Sequence, residues 1–187
     1  MATNIAIFAS GGGSNAESII QHFADRESAD IALIVSNKPN AYVLQRAENH
    51  SIDHETVSRK DYKDAKTMLS LLALHDIDFI VLAGFLWLIP SFLTEAFPKK
   101  IVNIHPALLP QYGGKGMYGK HVHQAVFDNN ERQSGITIHY VNENYDEGQI
   151  IFQETVDLLT TDTPDVIASK VLALEHEHFA KTIESIL

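Results

Sequence analysis

The sequence predicts a doubly wound α/β fold: one mostly parallel sheet with helices on both faces and an antiparallel strand pair towards the C-terminus. Three observations carry this expectation. Short apolar, β-branched runs alternate with stretches of helical period along the first hundred residues. Several of these runs, at 31–35 and 79–83, are apolar throughout, as strands buried on both faces are. A glycine turn at 10–13 separates the first run from the first helix.

The elements follow in order. Residues 4–9 (NIAIFA) form the first strand. A helix starts at Ser14, where Ser14 and Glu17 have the spacing of a capping box and Ile19, Ile20 and Phe23 form the apolar face. A strand at 31–35, a helix at 41–49, a short strand at 54–57 and a helix at 61–74 come next. A strand at 79–83, a short helix at 90–97 and a strand at Ile101–His105 complete the alternating part. Beyond it lie a glycine-rich loop at 111–120 and a helix at 121–128. Strands at 135–141 and 149–158, close in sequence and joined by the polar stretch 142–148, read as an antiparallel hairpin at the sheet edge. Thr163 and Pro164 then start a helix that runs to the end of the chain, Thr as N-cap and Pro at the first helical position.

Composition narrows the function. The 187 residues suit one domain, and a formal net charge of −10 argues against nucleic-acid or anionic-membrane partners. The absence of cysteine excludes disulfides, thiolate catalysis and thiolate-bound metals, and fits a reducing compartment. The N-terminal apolar run lacks a basic lead and ends at Gly11, and no apolar stretch nears the ~18 residues of a membrane span, so a soluble cytoplasmic protein is expected.

Asn103 and His105 carry the first chemical signal. Two apart on a strand, their side chains project together, and Pro106 ends the ladder just beyond them. An amide and an imidazole thus stand at a strand's carboxyl end, where open α/β sheets bind ligands. A neutral imidazole can take a proton, a charged one can stabilise an oxyanion, and the Asn103 amide can serve the same oxyanion, which suits acyl transfer. A strand end that merely carries two polar residues is the plainer alternative. The run Ser10-Gly-Gly-Gly-Ser14-Asn15 offers glycine-bared N–H groups at a helix N-terminus, where a phosphate is favoured. Gly11, Gly13 and Ala16 formally match the dinucleotide pattern, but the second strand ends Val35-Ser36-Asn37 without the acidic residue that holds a ribose. A monophosphate is therefore the preferred ligand, with a tight turn capped by Ser14 as the alternative.

Thr137 and His139 share one strand face, and Asp146 lies in a turn that can bring a carboxylate to His105. Spacing alone favours an ordinary Asp-x-Gly turn there. The histidines at 121 and 123, and those at 176 and 178 beside Glu175 and Glu177, lack zinc-binding helical spacing. Positions two apart do not share a helix face, so these read as solvated helix positions and no metal is expected.

Taken together and in order, S-G-G-G-S-N, N-I-H-P-A-L-L-P, and G-I-T-I-H-Y-V followed by Asp146-Glu147-Gly148 resemble the folate-dependent glycinamide ribonucleotide formyltransferases of the formyltransferase superfamily. S-N-K at 36–38 and V-L-A-G-F at 81–85 extend the resemblance, which runs from about residue 4 to about residue 184. It implies a single formyltransferase domain over 1–187, with a phosphate-binding half up to about residue 100 and a folate and catalytic half after it. It implies Asn103, His105 and Asp146 as the catalytic trio, and Gly12, Gly13, Ser14 and Asn15 as the loop on the nucleotide phosphate, with Glu175 as a further substrate contact. Leu86, Trp87, Leu88 and Ile89, with Arg59, Asn103 and the loop Asn142, Glu143, Asn144, Tyr145 and Asp146, match the folate pocket, and Thr137 and His139 match active-site strand positions.

The implied reaction moves a formyl group from 10-formyltetrahydrofolate to the amine of phosphoribosylglycinamide in purine synthesis. The implied partners are small molecules, and both monomer and homodimer stay open. Two features depart from the family: Trp87 stands where many relatives have a basic residue, and the loop at 113–120 is longer and richer in glycine. Formyltetrahydrofolate hydrolase is an alternative, disfavoured because that family carries a further N-terminal domain. Methionyl-tRNA formyltransferase is disfavoured by length and by acidic charge. A phosphometabolite-binding module without turnover is the last.

Overall fold

The computed structural model describes residues 2–187. Its strands are β1 (Thr3–Phe8), β2 (Ala29–Ser36), β3 (Asp53–Thr56), β4 (Phe79–Leu82), β5 (Ile101–His105), β6 (Gln133–Tyr140) and β7 (Ile150–Asp157). Its helices are α1 (Ser14–Phe23), α2 (Tyr42–Asn49), α3 (Arg59–Lys63), α4 (Ala65–Leu74), α5 (Ser91–Ala96), α6 (Lys120–Asp128) and α7 (Pro164–Ile186). The sheet order is β3-β2-β1-β4-β5-β6-β7. Strands β1 to β5 pair in parallel, whereas β6 runs antiparallel to both β5 and β7. The doubly wound sheet with its antiparallel C-terminal pair is the architecture that the sequence pattern implies.

Alternation along β1 shows how the sheet is covered. Ile5 and Ile7 pack with α1, α2 and α7 on one face, while Ala6 and Phe8 pack with α3, α4 and α5 on the other. Two apolar faces on one strand produce the continuous apolar run. Chain direction across the sheet reverses between β1 and β4, so the crevice opens where these two strands end. The Ser10 N–H donates to the Gly84 carbonyl at 3.1 Å and ties the two strand ends together at this point.

Two local expectations need correction. No capping box forms at α1: its N-cap is Gly13, at φ 68°, with no side-chain cap. Glu17 is engaged elsewhere, accepting from Arg46 and Gln21 and contacting His50. The helix expected over 61–74 is two helices, because Ser58 caps α3 and Asp64 restarts the chain as the cap of α4, accepting from the Thr67 N–H at 2.8 Å. At the other end, Thr163 caps α7 as its sequence implies. No helix among the described residues is long and apolar enough to cross a membrane.

Candidate active site

The β5–β6 register assembles the central polar cluster. Asn103 pairs opposite His139, and His105 opposite Thr137. Opposed residues of an antiparallel pair share a face, so the four side chains lie together. Asp146 joins them from the β6–β7 connection, where it takes a left-handed conformation, φ 57°, that aspartate tolerates. Its Oδ2 is 3.5 Å from His105 Nδ1 and accepts from the Gly114 N–H at 2.9 Å, and its Oδ1 is 3.6 Å from His139 Nε2. Asn103, His105 and Asp146 are therefore brought together from two separate chain segments.

Hydrogen bonding assigns the protons. His105 Nε2 is 2.7 Å from the Tyr112 carbonyl, which can only accept, so Nε2 carries hydrogen and Nδ1 faces Asp146. His139 Nδ1 likewise donates to the Tyr140 carbonyl at 2.9 Å, leaving Nε2 to accept from Asn103 Nδ2 at 3.1 Å. The second Asn103 N–H makes only a 3.5 Å approach to Asp146 and is the donor best placed to turn towards a ligand oxygen. Burial lowers the His105 pKa below the ordinary histidine value, against the opposing pull of Asp146 and the Tyr112 carbonyl. Burial thus favours the neutral form of the resting imidazole. For Asp146, burial works to raise the carboxyl, but the His139 and His105 rings, once protonated, and the Gly114 N–H outweigh it and hold it low.

A cavity of about 800 Å³ opens beside this cluster and runs to the glycine turn on one side and to the segment after β4 on the other. Leu86, Trp87, Leu88 and Ile89 all line it. Phe85 lines it too, and with Trp87 it packs against Tyr62 behind, ring centroids 5.1–6.0 Å apart, so this wall is aromatic. Arg59 lies outside the lining; its guanidinium stacks over the Trp87 ring at 4.8 Å. Asn144, Tyr145 and Asp146 line the cavity, whereas Asn142 does not, its side chain accepting from the Asn144 N–H, and Glu143 is exposed outside it.

At the opposite end Asn15 and Glu175 line the cavity and bond to each other, Nδ2 to Oε2 at 2.7 Å. Burial raises the Glu175 pKa, with the Asn15 amide opposing. Gly11 lines the cavity too, and Gly12 faces an adjoining pocket with Lys38. Gly13 and Ser14 contribute no lining. Gly13 is held to glycine twice over, by its positive φ and by Val43, whose Cγ2 would lie 2.5 Å from a Cβ.

Other residues differ from their sequence reading. Thr137 is sealed behind the cluster: its hydroxyl donates to the Ala107 carbonyl at 2.7 Å and accepts from the Leu109 N–H and from Gln153. It holds the 106–110 segment and does not line the cavity. His123 is not solvated but buried, lining the cavity with Lys120 and the loop residues Lys115, Met117 and Tyr118. Its signal was present in the sequence, since His123 stands three residues before Val126 on the inner face of α6. Ser10 was also missed as a wall residue; its buried hydroxyl accepts from the Leu86 N–H at 3.0 Å. Among the described residues no group of three or more acidic or histidine side chains converges on a metal-sized site.

The formyl transferase family profile matches residues 3–183. The chain belongs to the formyl transferase family. Among its relatives it is 36% identical over 187 residues to the phosphoribosylglycinamide formyltransferase of Bacillus subtilis (strain 168), covering 97% of this chain and 93% of that one. It is 40% identical over 188 residues to the chloroplastic phosphoribosylglycinamide formyltransferase of Arabidopsis thaliana, where it spans 97% of its own length but 64% of the plant protein's. The crystal structure of phosphoribosylglycinamide formyltransferase from Bacillus halodurans superimposes with a TM-score of 0.89 at 37% identity, covering 99% of this chain and 95% of that one. Glycinamide ribonucleotide transformylase 1 from Geobacillus kaustophilus gives 0.89 at 33% identity over the whole of both chains. Family membership therefore rests on sequence and on fold together, across the same residues that build the cluster and the cavity.

Proposed function

We propose that this chain transfers the formyl group of 10-formyltetrahydrofolate to the amine of phosphoribosylglycinamide, giving the formyl product and tetrahydrofolate in purine biosynthesis. The observation that carries the reading is the convergence of Asn103, His105 and Asp146 midway along a cavity with a glycine turn at one end and an aromatic wall at the other. A phosphorylated amine suits the first end, with its helix N-terminus and the Asn15–Glu175 pair. A flat apolar heterocycle suits the second, against the apolar side chains of 86–89 and beside the 144–146 loop. The two reacting centres then meet at Asn103 and His105.

In this reading the amine nitrogen attacks the formyl carbon, and the carbonyl electron pair moves onto oxygen. Asn103 Nδ2 donates to that oxyanion. The proton shed by the amine passes to His105 Nδ1, directly or through water, and the imidazolium so formed faces the Asp146 carboxylate. Collapse of the intermediate breaks the bond to N10 of the folate, and the imidazolium returns its proton there. Neutral resting His105 is what this sequence of steps requires, and Asp146 acts on the charge that develops rather than on the ground state. A cytoplasmic setting is consistent with the cysteine-free composition.

Incubating the protein with 10-formyltetrahydrofolate, with and without phosphoribosylglycinamide, tests the assignment. Tetrahydrofolate is expected only when the nucleotide is present. Equal release without it indicates a hydrolase, and no release in either case indicates a binding module.

A further inference from the structure

Three consecutive peptide groups make up the glycine turn, and each is fixed by its carbonyl. The Gly11 carbonyl accepts from the Val43 N–H at 3.1 Å, and the Gly13 carbonyl from the Glu17 N–H at 2.9 Å. The middle one, of Gly12, accepts from Arg46 Nε at 2.8 Å. In a trans peptide the carbonyl and the following N–H point in opposite directions, so holding the Gly12 carbonyl on Arg46 turns the Gly13 N–H away from Arg46. Glycine on both sides leaves that peptide free to flip. A flipped peptide would aim a carbonyl oxygen at the place where an anion is to bind.

Arg46 is itself held on three sides. Its Nη1 donates to Glu17 Oε2 at 2.9 Å, and its guanidinium lies 5.0 Å from the centre of the Tyr42 ring. The other Glu17 oxygen is engaged by Gln21 at 2.9 Å and by His50 at 2.8 Å. Glu17 thereby neutralises the Arg46 charge and aims its Nε at the turn. This is a clamp on the backbone, since the guanidinium is spent on Gly12 and Glu17 and does not line the main cavity.

We propose that Arg46 is a positioning residue for phosphate recognition: it holds the Gly12 peptide in the orientation that turns the Gly13 N–H, beside those of Ser14 and Asn15, to the substrate phosphate. The proposal rests on the glycine turn being the phosphate site of the reading above. It assigns the two flanking clamps to backbone atoms, which substitution leaves in place, and the middle one to a side chain that can be removed.

Isothermal titration with ribose 5-phosphate, together with steady-state kinetics, tests it. Arg46→Met should weaken ribose 5-phosphate about tenfold and raise the KM for phosphoribosylglycinamide similarly, while kcat falls far less and the folate KM holds. The preference for phosphoribosylglycinamide over its dephosphorylated riboside should shrink by the same factor. Arg46→Lys, with one donor group for two acceptors, should fall between, and Glu17→Gln should weaken phosphate binding although it removes a negative charge. Circular dichroism checks folding; if Arg46→Met does not fold, the other two variants decide. Ribose 5-phosphate binding within twofold of wild type in the folded variants overturns the proposal. Tighter binding by Glu17→Gln also overturns it, because that would make Arg46 a direct ligand. Wild-type protein that binds ribose 5-phosphate without formyl transfer would strike the activity and leave the clamp standing. Wild-type formyl transfer with no preference for the phosphate would overturn the clamp and leave the activity.

Discussion

His105 presents Nδ1 to the Asp146 carboxylate at 3.5 Å while its far side is pinned to the Tyr112 carbonyl at 2.7 Å. The carboxylate favours the charged ring and burial disfavours it, and burial prevails. Since kcat/KM reports the free enzyme and the free substrate, its rise with pH should contain loss of the His105 proton, with a midpoint below the ordinary 6.5, besides loss of the substrate amine's proton at about 8. Asp146→Asn removes the group that raises the pKa, so the midpoint should move lower still while kcat drops on the order of 10²-fold. A pH–rate profile of both proteins checks the two shifts. A wild-type profile with no limb below 6.5, or an Asp146→Asn limb moved upward, would refute the assignment.

Asn103 spends one amide hydrogen on His139 and keeps the other in a long contact. If that second hydrogen serves the oxyanion, Asn103→Ala should lower kcat by about 10²–10³-fold, the usual cost of one lost oxyanion donor. KM values should change little, because the donor acts on charge present only in the transition state. Far-ultraviolet circular dichroism should match wild type. Turnover within a few-fold of wild type would remove Asn103 from the chemistry.

Glu175 opposes stability at neutral pH. Its pKa is raised by burial, so its contribution to folding is fully present below the ordinary 4.5 and is lost as pH rises through the raised folded value. Gln keeps an oxygen for the Asn15 amide and never ionises. Glu175→Gln should therefore melt higher than wild type at about pH 7.5, with the gain fading towards pH ~4.5, while substrate affinity falls. His105 and His123 act in the opposite sense. Their depressed values make their contribution full above 6.5 and lost as pH falls below it. Thermal melts across this range read both effects, and a Glu175→Gln protein no more stable than wild type at neutral pH contradicts the first.

Local pattern revealed the strands because a run buried on both faces, as in β4, is written into each strand separately. β5 ends just before Pro106, and the shared face of Asn103 and His105 follows from their spacing of two along it. The antiparallel pair was legible from the short connection between β6 and β7. What stayed hidden depends on contacts between distant segments. Ser14 and Glu17 satisfy a capping pattern, yet α2 lies close enough for Arg46 to recruit Glu17, and Gly13 caps instead. The 2.9 Å bond between Asp146 and the Gly114 N–H ties the cluster to a loop whose path no periodicity encodes. Lys115, Tyr118 and Lys120 reach the cavity by that path, and spacing could not place them there.

Thr137 illustrates a residue that supports a site without touching its cavity. Its hydroxyl is fully buried, donates to the Ala107 carbonyl and accepts from the Leu109 N–H at 2.9 Å and Gln153 Nε2 at 2.8 Å. Gln153 also reaches the Leu109 carbonyl at 3.0 Å, so the pair grips the segment that follows His105. Thr137→Val keeps the shape and deletes the hydroxyl, stranding the Ala107 carbonyl and the Leu109 N–H. Each stranded group costs about 1–3 kcal/mol, which relaxation of the segment will partly offset. Urea denaturation should show a loss of about 2 kcal/mol or more with an unchanged m-value. Thr137→Ser keeps the hydroxyl and should recover most of that loss, with a small deficit from the missing methyl. The rate should fall with Thr137→Val only as far as His105 is displaced, well short of the loss for Asn103→Ala. A Thr137→Val protein as stable as wild type would mean that the hydroxyl does not hold the segment.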